Sequence, residues 1–127
     1  MLEKETLNKL ADELDQVKIQ EKARELASWV ESAVNDMAYE QYQLYKENPL
    51  YPGVKDKVEK LKAEGVIDLP GRMADDMYND AELLSDLLGD RLHDFSRKPE
   101  ERAALLEALK KERSHTAWQD AMQRLER

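Results

Sequence analysis

Apolar residues recur at helical spacing through the N-terminal part of the chain, where residues 5–47 contain neither glycine nor proline. Four large apolar residues near the start follow a 3-4-3 spacing and are named here the N-terminal stripe: Leu7, Leu10, Leu14 and Val17. This spacing places all four on one face of a helix and is typical of a helix that packs against a partner helix. The stripe ends there, because Glu21 and Arg24 occupy the positions that would continue it.

A second apolar series begins just after the first and occupies a different face of the helix. Its members are Ala23, Leu26, Ala27, Val30, Val34, Met37, Ala38 and Tyr42. A change of face without a helix breaker predicts one long helix over residues 1–47 whose two halves contact different partners. The alternative is two helices joined between Asp15 and Lys22.

The length of this predicted helix has a consequence for its environment. At about 1.5 Å per residue it would extend over about 60 Å, farther than a compact domain of this size. We therefore expect residues 1–47 to project in part and to act as an oligomerisation element, with the N-terminal stripe as the interface of a homodimer. The alternative is that a joint near Lys18 lets the stripe fold back onto its own chain.

Proline and glycine divide the remainder of the chain into shorter elements. Pro49, Pro52 and Gly53 end the long helix, because none of them favours its continuation. Further helices are predicted from Val54 to about Glu64 with Gly65 as C-cap, from near Arg72 to Phe95, and from Pro99 to the end of the chain. Ser114 could cap a new start within the last segment, and Gly89 is expected to weaken its helix, or to mark a kink or a close helix contact.

These elements predict an all-α fold in a single domain of residues 1–127. Strand-type alternation and β-branched residues are scarce, and four glycines with four prolines are too few for the turns of a sheet protein. We expect a long N-terminal helix followed by a small bundle of three or four helices in residues 54–127.

Composition and charge narrow the classes of partner. Twenty Lys and Arg against 28 Asp and Glu give a net charge of -8, which disfavours nucleic-acid binding because the phosphate backbone is repelled. The absence of cysteine excludes disulfides and thiolate zinc sites. No apolar run is long enough to cross a bilayer and no secretory signal is recognisable, so we expect a cytoplasmic protein without membrane contact.

Acidic residues are concentrated between positions 68 and 94, where eight of them accompany only two bases. Those at four-residue spacing would follow one another along helix faces: Asp76 and Asp80, and then Asp86, Asp90 and Asp94. One interpretation is a solvated face, and the other is a docking surface for a basic protein, including a surface that mimics nucleic acid. Three tyrosines at spacing three, Tyr39, Tyr42 and Tyr45, suit either the edge of the core or an interface.

Catalytic motifs are not recognisable in the sequence. All-α nucleotide pyrophosphohydrolases bind magnesium through acids at Glu-x-x-Glu and Glu-x-x-Asp spacing, whereas Glu82 and Asp86 here are four apart, as are Glu21 and Glu25. The only two histidines lie in no ligand or triad pattern. We therefore expect no cofactor and no metal.

The function expected from these patterns is a non-catalytic protein–protein interaction or regulatory module that forms a homodimer through its long helix. An acidic inhibitor or adaptor that docks on a basic protein surface is the first alternative. A magnesium-dependent all-α nucleotide hydrolase is the second.

Overall fold

The computed structural model describes residues 3–113 and 115–126, which form six α-helices and no strand. The helices are α1 (Lys4–Glu47), α2 (Val54–Ala63), α3 (Leu69–Tyr78), α4 (Ala81–Phe95), α5 (Pro99–Glu112) and α6 (Thr116–Glu126). The predicted all-α class and the long first helix are confirmed. Ser114, the candidate cap before the last helix, lies outside the described residues.

Helix α1 is continuous between Asp15 and Lys22, where the alternative places a joint. One helix and not two therefore spans residues 4–47. Its second half supplies one wall of the core through Ala23, Leu26, Ala27, Val30, Val34 and Ala38, all buried. Residues 3–18 are exposed without exception, and Ile19 is the first residue that packs against the core. The helix therefore has a bundled half and a projecting half.

The other helices close around the bundled half of α1. Helices α3 and α5 lie against α1, and α6 packs mainly on α4. The largest fully buried side chain is that of Trp118, followed by those of Leu26, Leu84, Leu88, Leu105, Leu109 and Met122. Each helix contributes one apolar face to this single core, which is the usual way in which amphipathic helices become stable.

The helix predicted from Arg72 to Phe95 is two helices, so that prediction was wrong. Helix α3 ends before Asn79, and Asp80 then begins α4 by accepting hydrogen bonds from the backbone N–H groups of Glu82 and Leu83 at 3.0 and 3.2 Å. Aspartate is a favoured N-cap because its carboxylate satisfies donors that the first helical turn leaves unpaired. Five helices, not three or four, therefore follow α1 in the described residues.

The end of α2 follows the prediction at Gly65. This residue adopts φ +80°, and the backbone N–H groups of Gly65 and Val66 donate to the carbonyls of Lys62 and Leu61 at 3.0 and 3.1 Å. A left-handed glycine is the common way to end a helix because it has no Cβ to clash. None of the helices in the described ranges has the length and apolar character that crossing a membrane requires.

Gly89 lies inside α4, and the helix continues through it without interruption. A Cβ added there would lie 3.5 Å from Cδ2 of Leu125, an ordinary van der Waals contact. We expect Gly89→Ala to raise the free energy of unfolding by about 0.5–1 kcal/mol in urea denaturation, because alanine removes the entropic cost of glycine in a helix. The matched control Gly65→Ala should lower it, since φ +80° strains alanine. A loss of stability in Gly89→Ala would show that α4 and α6 pack too closely for a methyl group.

Candidate functional site

The projecting half of α1 carries the N-terminal stripe into solvent. All four of its side chains are about half exposed, at 49–56%. In the described structure they contact no other element, so the stripe does not fold back onto the bundle of its own chain. A contiguous apolar stripe bordered by polar residues is a candidate interaction surface, whereas single exposed apolar residues are ordinary.

Two ion pairs join the bundled half of α1 to another helix. Arg24 Nε donates to Glu112 Oε1 at 2.9 Å, and Arg113 Nη2 donates to Glu31 Oε2 at 2.6 Å. Both pairs connect α1 to the C-terminal end of α5. They are partly exposed, and each contributes little to the free energy of folding.

The acidic residues occupy three different structural positions. Asp86, Asp90 and Asp94 are exposed on α4, and Asp94 Oδ2 lies 3.7 Å from Arg91 Nη1. Asp76 pairs with Arg72 on α3 at 3.8 Å, and Asp80 is the N-cap of α4. The expectation that Asp76 and Asp80 share a helix face is therefore wrong, because the chain changes helix between them.

We expect the triple change of Asp86, Asp90 and Asp94 to asparagine to leave the fold intact. Like charges at four-residue spacing cost a helix a few tenths of a kcal/mol, so thermal melting should move slightly upward. The exposed Arg91–Asp94 pair offsets little of this gain. Helix content and melting temperature by circular dichroism measure the effect. A marked loss of helix would mean that the carboxylates have a structural role, whereas loss of a basic partner in a binding assay without loss of stability would support the docking interpretation.

The three tyrosines differ in their surroundings. Tyr42 and Tyr45 pack against the core and lie under lysine ammonium groups, with Lys46 Nζ 5.0 Å and Lys62 Nζ 4.9 Å from the respective ring centres. Lys62 also donates to the Tyr45 hydroxyl at 2.9 Å, and this hydrogen bond raises the pKa of Lys62. Tyr39 is 58% exposed. Two of the three rings thus lie at the core edge, and Tyr39 is the one whose ring is open to a partner.

Sequence reasoning missed a cluster of side chains where α1, α3, the α5–α6 connection and the start of α6 meet. Its members are distant in the chain: Glu31, Tyr78, Arg113 and Trp118. The Arg113 guanidinium bonds Glu31 and lies 5.7 Å from the centre of the Trp118 ring. The Tyr78 hydroxyl is buried and has no hydrogen-bond partner among the described residues, and burial raises the pKa of Tyr78 to about 12. No local pattern could have predicted this cluster, because only the fold brings its members together.

Several other polar side chains are used within the fold. Ser96 is buried, donates to Glu101 Oε2 at 2.6 Å and accepts from the Lys98 N–H at 3.2 Å, so it organises the start of α5 and lowers the pKa of Glu101. The imidazole of His93 lies against Arg102, with 3.2 Å between Nδ1 and Nη1. In the described part of the chain no three potential metal ligands come together. Glu82 and Asp86 are exposed one turn apart on α4.

Comparisons with known proteins return no relative for this chain. No protein-family model matches it, and neither a curated protein nor a solved structure is similar to it. Its function therefore has to be inferred from the surfaces described above.

Proposed function

We propose that this protein is a non-catalytic protein–protein interaction or regulatory module that forms a homodimer through the projecting half of α1. The observation that carries the proposal is the N-terminal stripe, which presents four large apolar side chains on a helix that the bundle holds only beyond residue 19. A rigid helix with a narrow apolar seam is the form in which a coiled-coil partner is bound. The bundle then serves to hold this helix and to present further surface.

The free energy available from the stripe is consistent with a reversible dimer. Full burial of a leucine or valine is worth about 1.5–3 kcal/mol, and each of these side chains still exposes about half of its surface. Eight side chains in two copies therefore supply about 6–12 kcal/mol, against an association cost of about 4–15 kcal/mol. The two ranges overlap, so we expect a weak, reversible dimer and not a permanent one.

The arrangement of titratable groups supports a non-catalytic role. Burial raises the pKa of Tyr78 to about 12, so its phenol stays protonated at neutral pH. A general base or nucleophile requires the opposite, a group poised to give or accept a proton near neutrality. Ser96, His93 and the Glu31–Arg113 pair each hold a helix end or a helix contact.

Light scattering over a range of protein concentrations tests the proposal. The mass should rise from 14.8 kDa at low concentration to twice that value at high micromolar concentration. A protein that remains monomeric at high micromolar concentration contradicts the homodimer.

A further inference from the structure

We infer that the two copies pair in parallel and in register, with Glu13 of each chain facing Lys18 of the other. This inference rests on the proposed homodimer and adds the orientation of its helices. The N-terminal stripe carries the pairing energy, but apolar side chains of similar size can interdigitate in either direction. The charged residues that border the stripe decide between the two orientations.

The stripe has two distinct borders on the α-helix. Leu7 and Leu14 occupy the first seam position of successive heptads, and Leu10 and Val17 occupy the second. One border consists of Thr6, Glu13 and Gln20, and the other of Lys4, Ala11 and Lys18. All of these residues except Gln20 are in the projecting half, and all are exposed. None of them forms an ion pair within the described residues. Their charges are therefore available to a second helix.

A parallel pair brings opposite charges together. In a parallel coiled coil, a residue of the first border lies beside the partner residue that is five positions later in the sequence, on the second border. Glu13 then meets the partner's Lys18, and the two-fold symmetry makes this attraction twice. The other border pair, Thr6 with the partner's Ala11, consists of two small uncharged residues. No like-charged pair arises along the stripe.

An antiparallel pair brings like charges together. To keep the apolar layers, Leu7 must face the partner's Val17, and Leu10 the partner's Leu14. Each border then faces the equivalent border of the partner helix. Lys4 therefore lies beside the partner's Lys18 at both ends, and Glu13 lies beside the partner's Glu13. Three like-charged pairs replace two attractive ones, and any shift of register that separates them also breaks the apolar layers.

The same charge pattern is the reason for choosing a second copy of this chain as the occupant. A stripe made for a different protein has no need to match its own borders, whereas Glu13 and Lys18 of this chain complement each other across the two-fold axis of a parallel homodimer. Parallel pairing also leaves both bundles at the same end of the coiled coil. The dimer then presents each bundle surface, including the exposed acids of α4, twice on one side, and this favours partners with repeated sites.

Cysteine cross-linking measures the orientation directly, because the natural chain has no cysteine. In the parallel dimer, Leu7→Cys and Val17→Cys should each form a disulfide with themselves, since equivalent seam positions face each other within disulfide reach. In the antiparallel dimer, equivalent positions are displaced by about 15 Å along the axis, and only a mixture of the two variants cross-links. Asp12→Cys is the matched control, because it lies on the opposite face of the same helix segment and should not cross-link.

We expect each single variant to shift to twice the monomer mass on a non-reducing gel. Cross-linking only in the mixture would overturn the parallel arrangement while leaving the homodimer in place. If neither the single variants nor their mixture cross-links, and the wild-type protein stays monomeric in light scattering, the inference and the proposed function are both overturned. A mass of three or four chains in light scattering would overturn the two-chain arrangement.

A charge exchange provides a second readout that needs no cysteine. Glu13→Lys makes both border pairs of the parallel homodimer repulsive and should raise its Kd about tenfold, as should Lys18→Glu. Mixing the two variants restores two attractive pairs and should return the Kd to near the wild-type value at low salt. In the antiparallel dimer Glu13→Lys only replaces one like-charged pair by another, so an unchanged Kd would contradict the inference.

Discussion

Replacing Leu10 and Leu14 with aspartate is expected to convert the proposed homodimer into a folded monomer, with half the mass in light scattering. Both residues lie in the middle of the N-terminal stripe, and a dimer would bury four new carboxylates in an apolar seam. Burying an unpaired charge costs more than such a small interface can supply. The bundle should keep its melting temperature at low concentration, because in the single chain both positions are already open to solvent.

A matched control separates the loss of the seam from the addition of charge. Asn8→Asp with Gln16→Asp adds the same two charges to the other faces of the projecting half and should leave the dimer intact apart from a small charge effect. The homodimer would be contradicted by a double variant of Leu10 and Leu14 that keeps twice the monomer mass. A wild-type monomer whose melting temperature falls in this variant would instead show that the stripe packs on its own chain.

Leu26→Ala is expected to lower the free energy of unfolding of the monomer by about 2–5 kcal/mol. Leu26 lies on the same helix as the N-terminal stripe but has no exposed surface, because α1 presents it to the core. Removing its side chain leaves a cavity in a core that spans the bundled half of α1 and the five shorter helices. Leu14→Ala is the matched control, because the same substitution in the projecting half removes no contact of the single chain.

Urea denaturation followed by circular dichroism, at a concentration where the dimer is dissociated, measures both variants. We expect Leu14→Ala to unfold within about 0.5 kcal/mol of the wild type, as exposed substitutions usually do. Equal losses for both variants would mean that the stripe belongs to the core of the monomer. At high concentration Leu14→Ala should lose stability as well, because dimerisation then contributes to the folded state.

Much of the fold could be predicted from the sequence because its signals are local. Residues 5–47 contain no helix breaker and carry two apolar series, one after the other, on different faces. This pattern predicts one helix whose two halves lie in different environments. Pro49, Gly53 and Gly65 act through their own backbone preferences, so the breaks around α2 were predicted where they occur. The break between α3 and α4 was missed although Asp80 is a good N-cap, because the same residue also continues an acidic four-residue series. Local sequence allows either outcome there, and the structure shows that Asp80 acts as the N-cap of α4.

The site residues also differ in whether local spacing or contacts between distant residues determine their surroundings. The sequence by itself determined the N-terminal stripe, its charged borders and the acidic face of α4, since spacing on one helix suffices to place them. Only the tertiary structure decided that the stripe remains uncovered, that Tyr42 and Tyr45 pack at the core edge while Tyr39 is exposed, and that Glu31, Tyr78 and Arg113 meet. Helical periodicity places side chains on a face, but which faces are buried depends on contacts between residues far apart in the chain.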